Sequence, residues 1–142
     1  MKQFFDTSVL ISSFWRGHPQ HESSLTLFAG ASKEQSACAL HTLGETYAVM
    51  TALPIRERIP TDQALLFIQE IRDRCTIVSL DESEYWAAIG RTSERGLSGG
   101  RIHDTLLLRC AAKVESEVIF TWNLKHFREI EPLLADRIRT PA

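Results

Sequence analysis

The stretch Lys2-Gln3-Phe4-Phe5-Asp6-Thr7-Ser8-Val9-Leu10-Ile11 decides how the rest of the chain is read. Gln3 to Phe5 has the form of a short strand: apolar, unbroken and only a few residues long. Asp6 stops the run. Thr7 and Ser8 are good helix N-caps, because a side-chain oxygen there accepts an otherwise orphaned backbone N–H. Val9, Leu10 and Ile11 then resume an apolar pattern, as a helix does. The order is strand, acid, cap, helix. In an open α/β sheet, ligands bind in the crevice beyond the carboxyl ends of the strands, and an aspartate leaving the first strand points there. Taken alone, Asp6 reads equally well as a turn or capping residue. Its partners further along decide.

Working outward, 142 residues are expected to form one domain, residues 1–142, with a single substantial core. A 44% hydrophobic and 24% charged composition is that of an ordinary globular protein. No run approaches the ~18 apolar residues of a membrane span. A strand begins almost at Lys2 and leaves no room for a signal peptide, so the expected compartment is the cytoplasm. The three cysteines, Cys38, Cys75 and Cys110, are far apart, odd in number and set among apolar neighbours. They read as buried thiols and not as ligands or a disulfide framework. A net charge of −2 excludes a global basic field, so contact with nucleic acid requires a local positive surface and a short footprint.

Along the chain, Val9 to about Phe14 continues the first helix, and Gly17 and Pro19 mark a loop. His18 and His21 stand three apart without a nearby carboxylate pair, and are expected to be structural or merely exposed. Glu22 to Ala29 predicts a second helix ended by Gly30, and Gln35 to Ala39 a strand. Thr42 and Glu45 have the spacing of a capping box. Glu45 is therefore either a helix-start residue or a carboxylate facing the same crevice as Asp6, and the spacing does not choose. From Pro60, Ala64, Leu65, Phe67, Ile68 and Ile71 form one apolar helical stripe, with Thr61 or Asp62 as cap. Thr76 to Leu80 is a β-branched strand. Asp81 or Ser83 caps a helix carrying Tyr85, Trp86 and Ile89 to about Arg95. Gly96-Leu97-Ser98-Gly99-Gly100-Arg101 lacks the spacing of a phosphate-binding loop and reads as a hinge or turn.

Ile102-His103-Asp104-Thr105-Leu106-Leu107-Leu108-Arg109-Cys110-Ala111-Ala112 is apolar almost all round after Asp104, which predicts a buried helix with an acid at its start, where the helix dipole favours it. Val118 to Thr121 is a further strand. Asn123 leaves its end as Asp6 leaves the first, and a last short edge strand is expected near Ile138. Alternation of this kind predicts a parallel sheet covered on both faces.

Asp6, Glu45, Asp104 and Asn123 each follow a strand or open a helix on what should be one rim. Three carboxylates gathered without a cation repel and raise one another's pKa. A hard, oxygen-ligated divalent cation resolves the repulsion, and Mg²⁺ or Mn²⁺ held this way activates water for attack on a phosphodiester. This requires acids from three distant parts of the chain to converge within about one ion's coordination sphere.

Four motifs in series resemble those of PIN-domain ribonucleases, and most of all the small VapC-type toxins of type II toxin–antitoxin systems: Phe5-Asp6-Thr7-Ser8-Val9-Leu10; Thr42-Leu43-Gly44-Glu45; Gly100-Arg101-Ile102-His103-Asp104-Thr105-Leu106-Leu107; and Thr121-Trp122-Asn123-Leu124-Lys125-His126-Phe127. The resemblance spans essentially the whole chain. It implies an α/β fold, a three-layer α/β/α PIN-like (Rossmann-like) arrangement about a central parallel sheet. It implies Mg²⁺- or Mn²⁺-dependent endoribonuclease activity on an RNA substrate, a homodimer, and inhibition by a cognate antitoxin protein. By the same resemblance Asp6, Glu45 and Asp104 are the metal-binding acids, with Asn123 standing where aspartate is commoner. Ser8 and Thr121 become hydroxyls that orient carboxylates or water. Arg101 and Arg109 are candidate phosphate contacts, and His103 a packing or RNA-contact residue.

Two other readings compete. A Mg²⁺-dependent phosphotransfer domain needs a further acid close to the first aspartate, commonly two residues on, where Ser8 stands. A degenerate PIN-like module would bind RNA or protein without cutting, and Asn123 is the feature in its favour.

Overall fold

The computed structural model describes residues 1–141. Five short strands carry the architecture: β1 (Gln3–Phe5), β2 (Ser36–Ala39), β3 (Thr76–Val78), β4 (Val118–Phe120) and β5 (Ile138–Arg139). Every pairing is parallel. The order across the sheet is β3-β2-β1-β4-β5. Between the strands run seven helices among the described residues: α1 (Thr7–Phe14), α2 (His21–Ala29), α3 (Leu40–Thr51), α4 (Thr61–Arg74), α5 (Glu82–Glu94), α6 (Arg101–Lys113) and α7 (Leu124–Ile130). A 3₁₀ segment, Pro132–Arg137, leads into β5.

Side-chain alternation along the strands divides the interior in two. Phe4, Ala37, Ala39, Val78, Ile119 and Ile138 face a core filled by Leu107, Leu108 and Ala111 of α6 and Phe127 and Ile130 of α7. Phe5 and Cys38 point the other way, into Val9 and Leu10 of α1, Phe28 of α2 and Ile71 of α4. The result is the expected three-layer α/β/α fold. Adjacent Phe4 and Phe5 are both fully buried because each serves a different layer. Each such burial is worth about 1.5–3 kcal/mol, which makes the run at once the middle strand and the anchor of both cores.

The chain goes out from β1 to β2 and β3, then returns to lay β4 on the other flank of β1. β1 and β4 therefore flank the switch point, where a parallel sheet opens a crevice at its carboxyl edge. The ladder continues one residue past both strands: Asp6 N–H donates to Phe120 O at 2.9 Å, and Thr121 N–H to Arg139 O at 3.0 Å. This fixes Asp6 beside the segment after β4.

Several local expectations change. Thr7 and Ser8 are not caps. Asp6 occupies the N-cap position, without a side-chain cap bond, and Thr7 already opens the helix. Both hydroxyls are used sideways instead. Thr42 and Glu45 do not form a capping box either, since α3 begins at Leu40 directly after β2, with Ala39 as N-cap. The spacing was right for a cap but the helix starts earlier, because β2 runs into it without a loop. The stripe on α4 is narrower than expected: Ala64 and Ile71 are buried, whereas Leu65 is exposed. Neither Thr61 nor Asp62 caps α4, whose N-cap is Pro60. By contrast, Asp81 and Glu84 form a full reciprocal capping box on α5. Gly96 and Gly99 turn the chain between α5 and α6 with φ of +66° and +62°, values that glycine adopts without Cβ strain.

Among the described residues no helix is long and apolar enough to cross a membrane. The three cysteines are free and buried. His18 and His21 serve local structure: His18 Nδ1 accepts the Gln20 N–H at 3.0 Å, and His21 Nδ1 lies 2.8 Å from Ser12 O.

Candidate active site

The rim at the switch point is built around a buried aspartate. Asp6 is 3% exposed, yet no Lys or Arg pairs with it among the described residues. Two hydroxyls reach the same oxygen instead. Ser8 Oγ donates to Asp6 Oδ2 at 2.6 Å, and Thr121 Oγ1 donates to it at 2.8 Å across 115 residues of sequence. Burial raises the pKa of Asp6, and the bonds from Ser8 and Thr121, with the backbone N–H groups of Thr7 and Ser8, oppose that rise. Ser8 Oγ also accepts the Trp122 N–H at 3.0 Å, and Thr121 Oγ1 accepts the Asn123 N–H at 2.9 Å. The segment after β4 is thus laced to the start of α1 through hydroxyls that also orient a carboxylate.

Glu45 comes to the same rim from α3. Thr7 Oγ1 donates to Glu45 Oε1 at 3.0 Å and lies 2.9 Å from Thr42 Oγ1. Thr7 follows Asp6 directly, so this contact ties the second acid to the first. Asp104 arrives from the first turn of α6. Its pKa is raised from 3.8 to about 6, first by burial and then by the negative charges of Asp6 and Glu45, with His126 and His103 opposing. Asp104 therefore feels the charge of both other acids.

The three acids do not form a closed cage. Among the described residues no three His, Cys, Asp or Glu side chains form a group that could hold a metal ion. The expectation of convergence within one coordination sphere is too tight. Like charges in a partly buried cleft stand apart, and Mg²⁺ in particular is commonly held by one or two carboxylates while keeping several waters. The donor chemistry itself, carboxylates with hydroxyls and no sulfur, suits a hard divalent cation.

The remaining candidates sit less centrally. Asn123 is at the N-cap of α7 and is exposed. Arg101 lies 3.6 Å from Glu129, and Arg109 lies 3.6 Å from the buried Glu131, so both guanidinium groups already have carboxylate neighbours. Sequence reasoning missed Thr7 and Thr42 as the bridge between the first two acids. It also missed the support behind Trp122, whose Nε1 donates to Ser24 Oγ at 2.9 Å, itself 2.6 Å from Ser12 Oγ. Buried serines on α1 and α2 were the available sign, since an isolated polar group inside a core needs a partner.

A family model described as PIN domain matches residues 4–131. The chain belongs to the PIN-domain family. As a PIN domain it has relatives in Mycobacterium tuberculosis (strain ATCC 25618 / H37Rv). It is 27% identical over 128 residues to ribonuclease VapC40, covering 90% of this chain and 91% of that protein. It is 29% identical over 113 residues to ribonuclease VapC27, covering 80% and 79%. Among solved structures, its fold matches that of M. tuberculosis VapC20, described as a sarcin–ricin-loop-cleaving toxin, with a TM-score of 0.70 at 15% identity over 88% of this chain and 92% of the other. It matches VapBC-1 from nontypeable Haemophilus influenzae with a TM-score of 0.66 at 15% identity, over 99% and 98%.

Proposed function

We propose that this PIN domain is a divalent-metal-dependent endoribonuclease, the toxin of a toxin–antitoxin pair, working in the cytoplasm as a homodimer inhibited by a cognate antitoxin. The observation that carries the reading is the buried Asp6, which has hydroxyl partners but no cationic partner, beside a further acid, Asp104, whose pKa the charges of Asp6 and Glu45 help to raise. Such an arrangement is costly for stability alone and suits a cation. The ribonuclease names of the relatives and the VapB–VapC complexes among the structural neighbours support the RNA substrate and the antitoxin partner.

Asp6, Glu45 and Asp104 would hold Mg²⁺ or Mn²⁺. Bound there, the cation offsets phosphate charge and makes water a better nucleophile. The protein's own part is orientation. Ser8 and Thr121 fix the carboxylate plane of Asp6 by gripping one oxygen, and Thr7 fixes Glu45. Asn123 offers a neutral amide, able to accept or donate a hydrogen bond but unable to neutralise charge. Arg101 is a candidate for a phosphate contact, in exchange for its contact with Glu129.

The dimer reading draws on an apolar surface. Leu40, Tyr85, Trp86 and Ile89 are all exposed, Trp86 at 75%, and an unpartnered patch of this kind marks a protein interface.

The test is cleavage of cellular RNA by the purified protein with Mg²⁺ or Mn²⁺ and after chelation. Cleavage is expected only with metal, and Asp6→Asn or Asp104→Asn should remove it by on the order of 10²–10³-fold with folding intact. Equal behaviour of wild type and both variants on every RNA would leave a non-catalytic binding module as the better reading.

A further inference from the structure

Two histidines at the acidic rim have no role in the site so far described. His41 stands at the start of α3 and His103 in the first turn of α6. Their rings are 5.3 Å apart between centroids and tilted by only 9°, an offset parallel stack. Both residues are exposed, and among the described residues neither ring makes a hydrogen bond within the protein. His41 Nε2 lies 3.8 Å from Glu45 Oε1, and His103 directly precedes Asp104. His41 also forms part of the wall of a largely apolar cavity of about 300 Å³ that includes Leu40, Tyr85 and Leu106. The rings are thus held flat against each other at the edge of the acids, with aromatic surface left open to solvent.

A stack that serves only stability gains most from burial, and this pair is not buried. Single-stranded RNA presents nucleobases that splay out and stack on aromatic side chains, histidine included. We propose that His41 and His103 form a stacking platform for a nucleobase next to the scissile phosphate, and so take part in choosing the sequence that is cut. The platform rests on the nuclease reading above. It adds a base-binding position to a site otherwise defined by phosphate and metal chemistry.

The experiment uses short fluorescein-labelled single-stranded oligoribonucleotides of each homopolymer, and versions in which one abasic nucleotide is walked along the strand. Binding is measured by anisotropy with Ca²⁺ and cleavage with Mg²⁺, for wild type, His41→Ala, His103→Ala and the corresponding Phe variants. The Ala variants should weaken Kd and raise KM by about tenfold with kcat little changed, the size of one lost base–aromatic contact. The Phe variants, which keep a flat ring, should recover most of the loss. One abasic position should cost wild type a similar factor and cost the Ala variants almost nothing. Phe variants as impaired as Ala would mean that the ring nitrogens matter, and would overturn the platform. So would the absence of any sensitive abasic position. A changed oligomeric state with unchanged RNA constants would assign the pair to a protein interface and overturn it too. The two readings fail separately: base-dependent binding without cleavage by any form keeps the base contact at His41 and His103 but sinks the nuclease and with it any part in cleavage, whereas equal cleavage by wild type and Ala variants keeps the nuclease and sinks the platform. Failure of wild type to bind any RNA sinks both. Thermal melting checks that each variant is folded.

Discussion

Two carboxylates in this protein are almost equally buried and live in opposite surroundings. Asp6 is 3% exposed and Glu131 is 2% exposed. Glu131, just after α7, has a guanidinium on each side: Arg91 Nη2 donates to its Oε2 at 2.9 Å, and Arg109 Nη1 lies 3.6 Å from its Oε1. Those arginines come from α5 and α6, so the cluster ties three helices together. Asp6 has hydroxyls and backbone N–H groups around it, and its charged neighbours are further acids. A buried charge with its counter-ion supplied by the chain is structural. A buried charge left without one points to a counter-ion from outside. The difference separates scaffold from site more sharply than burial does.

The comparison can be broken by neutralising each acid in turn. The largest effect expected is on catalysis at the rim. Asp6→Asn should lower RNA cleavage by on the order of 10²–10³-fold while its melting temperature, without metal, stays at or above that of wild type. Glu131→Gln should do the opposite. It should destabilise the fold by about 1–2 kcal/mol, because the buried carboxylate loses its charge-assisted bond while both guanidinium groups, each more than a third exposed, keep access to solvent, and the specific activity of the folded fraction is retained. Denaturant unfolding alongside single-turnover cleavage measures both. Loss of stability in Asp6→Asn with no loss of activity would erase the distinction.

A smaller effect is expected from Thr121→Val, which keeps shape but removes both the bond to Asp6 Oδ2 and the acceptor for Asn123 N–H. Mg²⁺ affinity or activity should fall by about 10–100-fold, the usual loss when a metal-binding residue loses its orienting partner. Titrating cleavage against Mg²⁺ checks it, and an unchanged curve would reduce Thr121 to a packing residue.

The smallest effect sharpens the comparison through pH. Asp104 has a pKa of about 6 in the folded chain against 3.8 ordinarily. A raised acid pKa means that the ionised form is the disfavoured one. Its unfavourable contribution is present above pH 6 and is relieved as pH falls from about 6 towards 4. In metal-free protein, Asp104→Asn should therefore melt higher than wild type at neutral pH, and the gap should close on acidification. Added Mg²⁺ should narrow the gap at neutral pH by stabilising wild type alone. Melting curves across this range, with and without metal, decide it. A gap independent of pH would remove Asp104 from the repulsive cluster.

Much of this was legible in the chain because it rests on local rules. The Phe4-Phe5 run, the cap at Asp81, and the all-round apolar helix after Asp104 depend on neighbours within a few residues, and each forms where its pattern says. Two of the acids were nameable for the same reason: Asp6 ends a strand and Asp104 lies in the first turn of a helix, whereas Glu45 sits in the second turn of α3. What misled was equally local. Thr7, Ser8 and Thr42 all have cap chemistry, and a hydroxyl suited to capping is equally suited to bonding sideways. Only the neighbouring elements decide which.

The amino-acid order by itself determined the alternation of strands and helices, the doubly buried sheet and the rim on which acids collect, since side-chain period and capping act over one or two turns. Tertiary structure decided the rest. Laying β4 against β1 brings Thr121 to Asp6 from 115 residues away. Packing α3 near α6 stacks His41 on His103, and the meeting of α5, α6 and α7 gives Glu131 its arginines. Burial and charge compensation depend on which distant groups arrive at a point in space, and no short-range pattern carries that information.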